Sequence, residues 1–407
     1  MIKCVLVLVI GMGLFLADVR ADYYAAQNGQ TPTGPYDTWA KAASNIQNAV
    51  NAAAANDTVW VGAGRYTVPT NAVAYASITN VVYMNKPLAL RSSNGVPSEV
   101  IIDGQNTNRG IHLAYSVTTT NRFVLSGVTI SSAYTNGILF TANVGILWTG
   151  VVDNCVVTGT LGYAIDGKAA KNIAVIVSNS VVRNSTGIGV NLYGSSGRLT
   201  MTDCTVENNL AVGFSFHLGT HTFTRCIVRG NVGGFSIGSG LNQLYSCLIN
   251  NNVAANGGAI YGWNNGTDVR VYNSTIVSNK ATGSGGGIRT SGSSASFKFF
   301  NTILYSNYLN AAHNNYFLTG NTNSSFTNTC TFPSLAGSGN INSKPQFVDF
   351  AGQNFRLVIN SPCVNTGTNQ NWMITGFDLD GKIRLRYGTV DMGAYEKIYE
   401  GTIYGIR

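Results

Sequence analysis

Phe223-Thr224-Arg225-Cys226-Ile227-Val228-Arg229-Gly230-Asn231 is a short β-forming stretch, a small residue, more β-formers and then an Asn. The pattern returns in Leu244-Tyr245-Ser246-Cys247-Leu248-Ile249-Asn250-Asn251-Asn252 and in Val271-Tyr272-Asn273-Ser274-Thr275-Ile276-Val277-Ser278-Asn279. Outward from these, copies run over Val175–Asn184, Met201–Asn209 and Phe299–Asn307, and weaker ones centre on Gly127 and Cys155. The small-residue positions 127, 155, 180, 204, 226, 247, 274 and 302 lie 21 to 28 residues apart. Units of that length cannot bury a core singly, so they must stack.

Each unit carries a second short strand after its Asn: Gly187-Ile188-Gly189-Val190, Gly213-Phe214-Ser215-Phe216, Gly234-Phe235-Ser236-Ile237, Ala259-Ile260-Tyr261 and Gly287-Ile288-Arg289. Glycine pairs and β-branched alternation exclude helical repeats. No Leu ladder marks leucine-rich repeats. Strand, Asn turn, strand and variable loop make one rung of a parallel β-helix. Stacked rungs place each residue about 4.8 Å from its equivalent, so like sits on like. Asn209, Asn231, Asn252, Asn279 and Asn307 are therefore expected to form an amide ladder and to occupy the left-handed bend. Cys155, Cys204, Cys226 and Cys247 are expected in a buried small-residue column with Ser180 and Ser274.

Composition narrows the class. Of 407 residues only 10% are charged and 44% are hydrophobic, which excludes disorder; 47 glycines are too few for collagen. The net charge of +8 favours acidic partners weakly. No Lys/Arg run interleaved with aromatics points to nucleic acid.

The ends differ from the repeats. Lys3, the apolar run Cys4 to Ala17 and Val19-Arg20-Ala21 read as a secretory signal peptide, too short to span a bilayer. No later segment is apolar for long enough to cross a membrane. The chain divides into a signal peptide (1–21), an N-terminal strand and capping helix (22–56) and the β-helix (57–307). A loop-rich region (308–344), a closing segment (345–396) and a tail (397–407) follow. The capping helix is expected over Asp37 to Ala55, covering the open first rung. Export implies an oxidising compartment, and Cys330 and Cys363, outside the ladder, are the candidate disulfide. No C-x-x-C spacing supports redox chemistry or zinc.

The stretch YYAAQNGQTPTGPYDTWAKAASNIQNAVNAAAANDTVWVGAGRYTV resembles the start of exported right-handed parallel β-helix proteins of the pectin-lyase-like superfamily. PQFVDFAGQNFRLVINSPCVNTG, with DLDGKIRLRYGTVDMGAYE, is similar to the choice-of-anchor Q domain of bacterial surface and secreted proteins. The sorting tail that often follows in that family is replaced here by Lys397 to Arg407. The resemblance implies an all-β fold: a right-handed parallel β-helix with an N-terminal capping helix and a C-terminal closing segment. It also implies a bacterial protein that is extracellular or on the cell surface.

Polysaccharide-active β-helices use a groove along one outward sheet face. The NTDG, DD and GHG motifs of polygalacturonase-like hydrolases are missing. Residues 123–307 hold only Asp153, Asp166, Asp203, Glu207 and Asp268, too few for a hydrolytic carboxylate pair or a calcium cluster, so no cofactor is expected. Asp378-Leu379-Asp380-Gly381 reads as a turn, because later calcium ligands are missing. Elimination beside a uronate instead needs a base and a cation.

Setting Ile165, Ile188, Phe214, Phe235, Ile260 and Ile288 inward gives an outer column of Asp166, Gly189, Ser215, Ser236, Tyr261 and Arg289. The adjacent column is Lys168, Asn191, His217, Gly238, Trp263 and Ser291. On this alignment His217 or Lys168 is the catalytic base and Arg289 a carboxylate clamp. Asp166, Tyr261 and Trp263 bind substrate. Scattered surface side chains are the competing account of these residues, and His112 and His221 are expected to be structural. Two functions stay open for what is expected to be a monomer with a polysaccharide partner. One is a lyase acting on an acidic glycan. The other is a non-catalytic carbohydrate-binding or adhesin-like β-helix.

Overall fold

The computed structural model describes residues 20–115, 122–142, 147–170, 172–192, 197–319, 323–386 and 388–398. The signal-peptide reading therefore falls almost wholly outside the described residues, as does most of the tail. The chain winds as a right-handed parallel β-helix with three long walls: sheet A of twelve strands and sheets B and C of eleven each. One turn runs through Thr220–Thr224 in sheet A, Ile227–Arg229 in sheet B and Phe235–Ile237 in sheet C. Each strand pairs in parallel with its equivalents one turn earlier and later. The stack continues past Asn307 to Ser325–Thr327 and Cys330–Thr331.

Two repeated corners make this winding possible. Between sheets A and B one residue per turn is left-handed, including Asn179, Asp203, Arg225, Ser246 and Asn273. The next residue points into the core: Ser180, Cys204, Cys226, Cys247 and Ser274 are all buried. Hydroxyls and thiols do the same work there. Ser274 Oγ donates to Tyr272 O at 2.9 Å and Cys247 Sγ to Tyr245 O at 3.4 Å. All four ladder cysteines are free, and burial pushes the Cys155 thiol up to about 12. The weak copy at Gly127 is shifted by one: Thr129 pairs with Val156, so Val128 is the residue level with Cys155.

Between sheets B and C the left-handed residue is Asn208, Gly230, Asn251, Ser278 or Ser306. The ladder Asn comes one position later, which corrects the expectation that the ladder residue itself makes the bend. Freed from the bend, its amide turns inward. Asn252 Nδ2 donates to Asn279 Oδ1 at 2.9 Å and to Val228 O one turn below at 2.9 Å. Asn279 Oδ1 also accepts the Asn252 backbone N–H at 3.1 Å. The same contacts join Asn209, Asn231, Asn279 and Asn307, and end on Asn315. Around this polar seam the interior is apolar, with Phe214 and Phe235 stacked at 4.6 Å.

The caps follow local chemistry. The helix α1 spans only Ile46–Ala52, after a 3-10 turn at Trp39–Lys41. Ala43 bridges Ala25 and stays extended, so the helix starts at Asn45, whose side chain accepts the Asn48 N–H at 2.9 Å. Ile46, Ala49 and Val50 bury its apolar face. After the last rung the chain folds back along the outside of sheet B. Leu248 and Val277 pack there with Phe355, Ala394 and Tyr395. Arg384, fully buried, donates to Glu396 at 2.8 Å, Ala394 O at 2.7 Å, Asn273 O at 3.0 Å and Ser246 Oγ at 3.1 Å. Asp378 accepts the amides of Asp380, Lys382 and Glu396, a tied turn. Cys330 and Cys363 are free, fully buried and in mutual contact in this seam. No described helix is long and apolar enough to cross a membrane.

The ladder makes a direct prediction. Asn252→Ala leaves Asn231 and Asn279 with unmet groups and lowers stability by about 2–4 kcal/mol. Asn251→Gly, at the left-handed position beside it, changes stability by no more than about 0.5 kcal/mol. Equilibrium denaturation of both variants checks the contrast.

Candidate functional site

Sheet B is covered by the returning chain, so its outer face is unavailable along those turns. Sheet C carries the side chains singled out in the sequence. Its register fixes one outward column: Tyr83, His112, Leu139, Asp166, Asn191, Ser215, Ser236, Tyr261, Arg289 and Phe317. This corrects the sequence alignment at one rung. Ile165 pairs with Val190, not Ile188, so Asn191 replaces Gly189 beside Asp166.

The column has two halves. In the lower half His112, Leu139, Asp166 and Asn191 are all buried. Asp166 accepts Asn136 Nδ2 and Asn191 Nδ2, each at 2.9 Å. Asn136 Oδ1 in turn accepts Arg109 Nε at 3.0 Å, and Arg109 Nη1 reaches Asn80 Oδ1 at 2.9 Å. His112 Nε2 meets Thr141 Oγ1 at 2.8 Å, with the Tyr75 and Tyr83 rings against it. Burial, helped by Arg109, pushes His112 down to about 3, so the ring is neutral. Asp166 is thus a buried hub of amides and does not face an open groove. Lys168 shares its strand, Tyr163–Ala170, but the Lys168 side chain lies outside the described residues.

The upper half is partly open and aromatic. Arg289 lies between two rings, with its guanidinium carbon 5.4 Å from the Tyr261 centroid and 5.8 Å from that of Phe317. Its Nε is buried without a hydrogen-bond partner, and Arg289 forms no ion pair with a described carboxylate. Tyr261 Oη lies 3.2 Å from Ser291 Oγ. One column across, Trp263 leans over Gly238 and stacks on His217, with centroids 5.4 Å apart. Gly238 is required there. A Cβ on it would come within 2.7 Å of Trp263 Cζ2 and 2.9 Å of His217 Cδ2.

The structure therefore brings His217 to Trp263, and Arg289 to Tyr261, while spreading the expected base and clamp along the stack. The rung of His217 is three steps from that of Arg289, roughly 14 Å at the rung repeat, and two steps, roughly 10 Å, from that of Lys168. Phe317, the second face of the Arg289 sandwich, escaped the sequence reading because its rung lies beyond Asn307. The Arg109–Asn136–Asp166–Asn191 chain escaped it because its members come from different turns and form no local motif. Among the described residues no group of three or more His, Cys, Asp or Glu is arranged to hold a metal ion.

Residues 109–276 match the family described as the right-handed β-helix region. No curated protein matches the sequence. Among solved structures, pectate lyase Pel9A is similar at a TM-score of 0.67 and 16% identity, over 93% of this chain and 97% of that one. The A-module of Azotobacter vinelandii mannuronan C-5 epimerase AlgE4 matches at 0.48 and 15%, over 73% of this chain and 84% of that one. A rhamnogalacturonan lyase matches at 0.48 and 14%, over 83% and 95%. Identities this low speak to the fold alone.

Two predictions follow from this geometry. Gly238→Ala separates the His217–Trp263 stack while the fold is retained, seen as altered tryptophan emission with unchanged far-ultraviolet circular dichroism. Burial also pushes His221 down to about 4. Below about pH 6.5 the unfolded chain binds protons that folded His112 and His221 refuse. The stability these two histidines contribute is therefore full above that pH and falls as the pH drops toward 4, against an opposite slope from buried Glu396, pushed up to about 8. Denaturation midpoints across this range show the slope, and His112→Gln flattens it.

Proposed function

We propose that this is an exported protein that recognises acidic polysaccharide on the upper half of sheet C. The observation that carries the proposal is Arg289, a guanidinium held between two rings with no carboxylate of its own. Such a fork matches a carboxylate with two parallel hydrogen bonds. Tyr261, Trp263 and Phe317 supply ring surface for the sugar, and the fold likeness to a pectate lyase is in keeping with a saccharide ligand. Export is supported by the apolar leader over residues 1–21 and by the resemblance of residues 345–396 to the choice-of-anchor Q segment. In an oxidising compartment the touching Cys330 and Cys363 thiols are proposed to form a disulfide that fastens the closing segment to the last rung. Intact mass before and after reduction, with alkylation, tests that bond.

The finer reading is lyase-type β-elimination. His217 removes the proton beside the uronate carboxylate, a C=C bond forms, the glycosidic C–O bond on the adjacent carbon breaks, and the departing oxygen takes a proton from water. Lys168 is the other candidate base. Asp166, held by two amides, positions its strand and does not touch the polymer. The spread of Lys168, His217 and Arg289 over several rungs favours the second reading, a binding protein without cleavage, because elimination needs base and cation at one sugar.

Arg289→Gln weakens binding of polygalacturonate about tenfold or more, the range for a lost charged hydrogen bond, and calorimetry measures it. Unchanged affinity rejects the site. Ultraviolet-absorbing unsaturated product that vanishes in His217→Ala or Lys168→Ala supports cleavage. Binding without product supports the adhesin-like alternative.

A further inference from the structure

A second cleft, of about 700 Å³, lies at the opposite end of the solenoid on the outer face of sheet A. It is built by the first strand, Asp22–Ala25, the 3-10 turn at Trp39–Lys41 and the second strand, Thr58–Val61. Tyr24 and Trp60 are register partners and share an outward column. Trp39 stands against Tyr24 with centroids 4.6 Å apart and planes tilted by 58°, yet it remains 43% exposed. Gly62 lies beneath it, where a Cβ would make no more than ordinary van der Waals contact with Trp39 Cζ3, at 3.4 Å. The Trp60 indole is fixed by its N–H, which donates to Asp22 Oδ1 at 3.0 Å. Gln27 is held by the backbone of Arg65 through both ends of its amide.

The rings are therefore set in place before any ligand arrives, and polar groups stand at their edges. A pyranose has the matching shape, an apolar C–H face with hydroxyls around its rim. The charge selects further. The described lining contains Asp22 and no Lys, Arg or His. Arg91, next to Trp60 in the same outward column, balances Asp22, so a uronate meets no net positive charge, whereas neutral hydroxyls find acceptors and donors in Asp22 and Asn28.

We infer that this cleft is a binding site for an uncharged pyranose chain, distinct from the acidic-glycan site on sheet C. The inference does not depend on that site. One end of the rod grips a neutral polymer while the far end presents a cationic face to an acidic one. Two weak sites on a stiff rod then act together on a mixed polysaccharide surface.

Titration of the purified protein with cellohexaose, xylohexaose, mannohexaose and laminarihexaose, followed by calorimetry and tryptophan fluorescence, tests it. At least one of the four binds, Trp39→Ala weakens that binding about tenfold or more, and polygalacturonate affinity stays unchanged. Trp39→Tyr keeps a ring on the same turn and retains part of the affinity, which separates loss of stacking from loss of fold. The site is rejected if none of the four binds, if binding ignores Trp39→Ala, or if polygalacturonate binding falls with it.

Discussion

A coil of short parallel strands buries nothing unless every turn lies directly on the one before, and the corner amides enforce that superposition. Each ladder Asn has an acceptor that takes two N–H groups from the turn below and a donor that serves both neighbours. The next residue that satisfies these four contacts must be another primary amide at the same height. A carboxylate lacks the donor, a hydroxyl the reach, and an apolar residue both. Buried polar groups without partners are costly, so the ladder rewards one register and penalises slippage. The apolar columns beside it, with the Phe214–Phe235 stack, contribute the bulk of burial but would tolerate a shift more readily.

That constraint explains which parts of the fold were legible in the sequence. Where ladder residues recur, the spacing of small residue and Asn locates corner and strand together, and the register observed from Cys204 onward agrees with it. Below Asn209 the ladder positions are Ser185, Thr160 and Ala133, and the signal fades. Gly187-Ile188-Gly189-Val190 then offers two apolar residues two positions apart, which alternation puts on one face, and alternation alone cannot say which lies level with Ile165. Pairing of Val190 with Ile165 settles it and moves Asn191 beside Asp166. The helix was overextended for a related reason. Its alanines fit a helix well, but a bridge from Ala43 to Ala25 outweighs intrinsic preference.

The candidate site was legible only in part, and the boundary is physical. Outward positions are fixed by the strand period, so Tyr261, Trp263, His217 and Arg289 could be placed on one face. Which side chains lean toward one another depends on space. Trp263 crosses to His217 only because Gly238 has no side chain between them. Burial of the lower column was invisible as well. Asp166 reads as an outward polar residue, yet Asn136 and Asn191 enclose its carboxylate, and His112, expected to be structural, is buried against Thr141. The returning segment has a comparable effect on sheet B. Arg384, taken out of water, is held by a carboxylate, two carbonyls and a hydroxyl, and the wall beneath it is closed to any ligand.

Arginine pairing sets Arg289 apart from the paired and the exposed arginines. The chain has 25 basic against 17 acidic side chains, so some cations must lack a carboxylate partner. Arg65, Arg225, Arg229, Arg270, Arg356 and Arg384 each pair with a carboxylate. Arg122, Arg183 and Arg198 do not, and they are exposed, where water satisfies them at little cost. Arg289 fits neither group. Its Nε is shut off from water between two rings and has no acceptor, a state that costs about 1–3 kcal/mol per buried group. The proposed anionic sugar, lying across Tyr261 and Phe317, would instead pair with the outer guanidinium nitrogens, which no described carboxylate takes, while Nε stays covered.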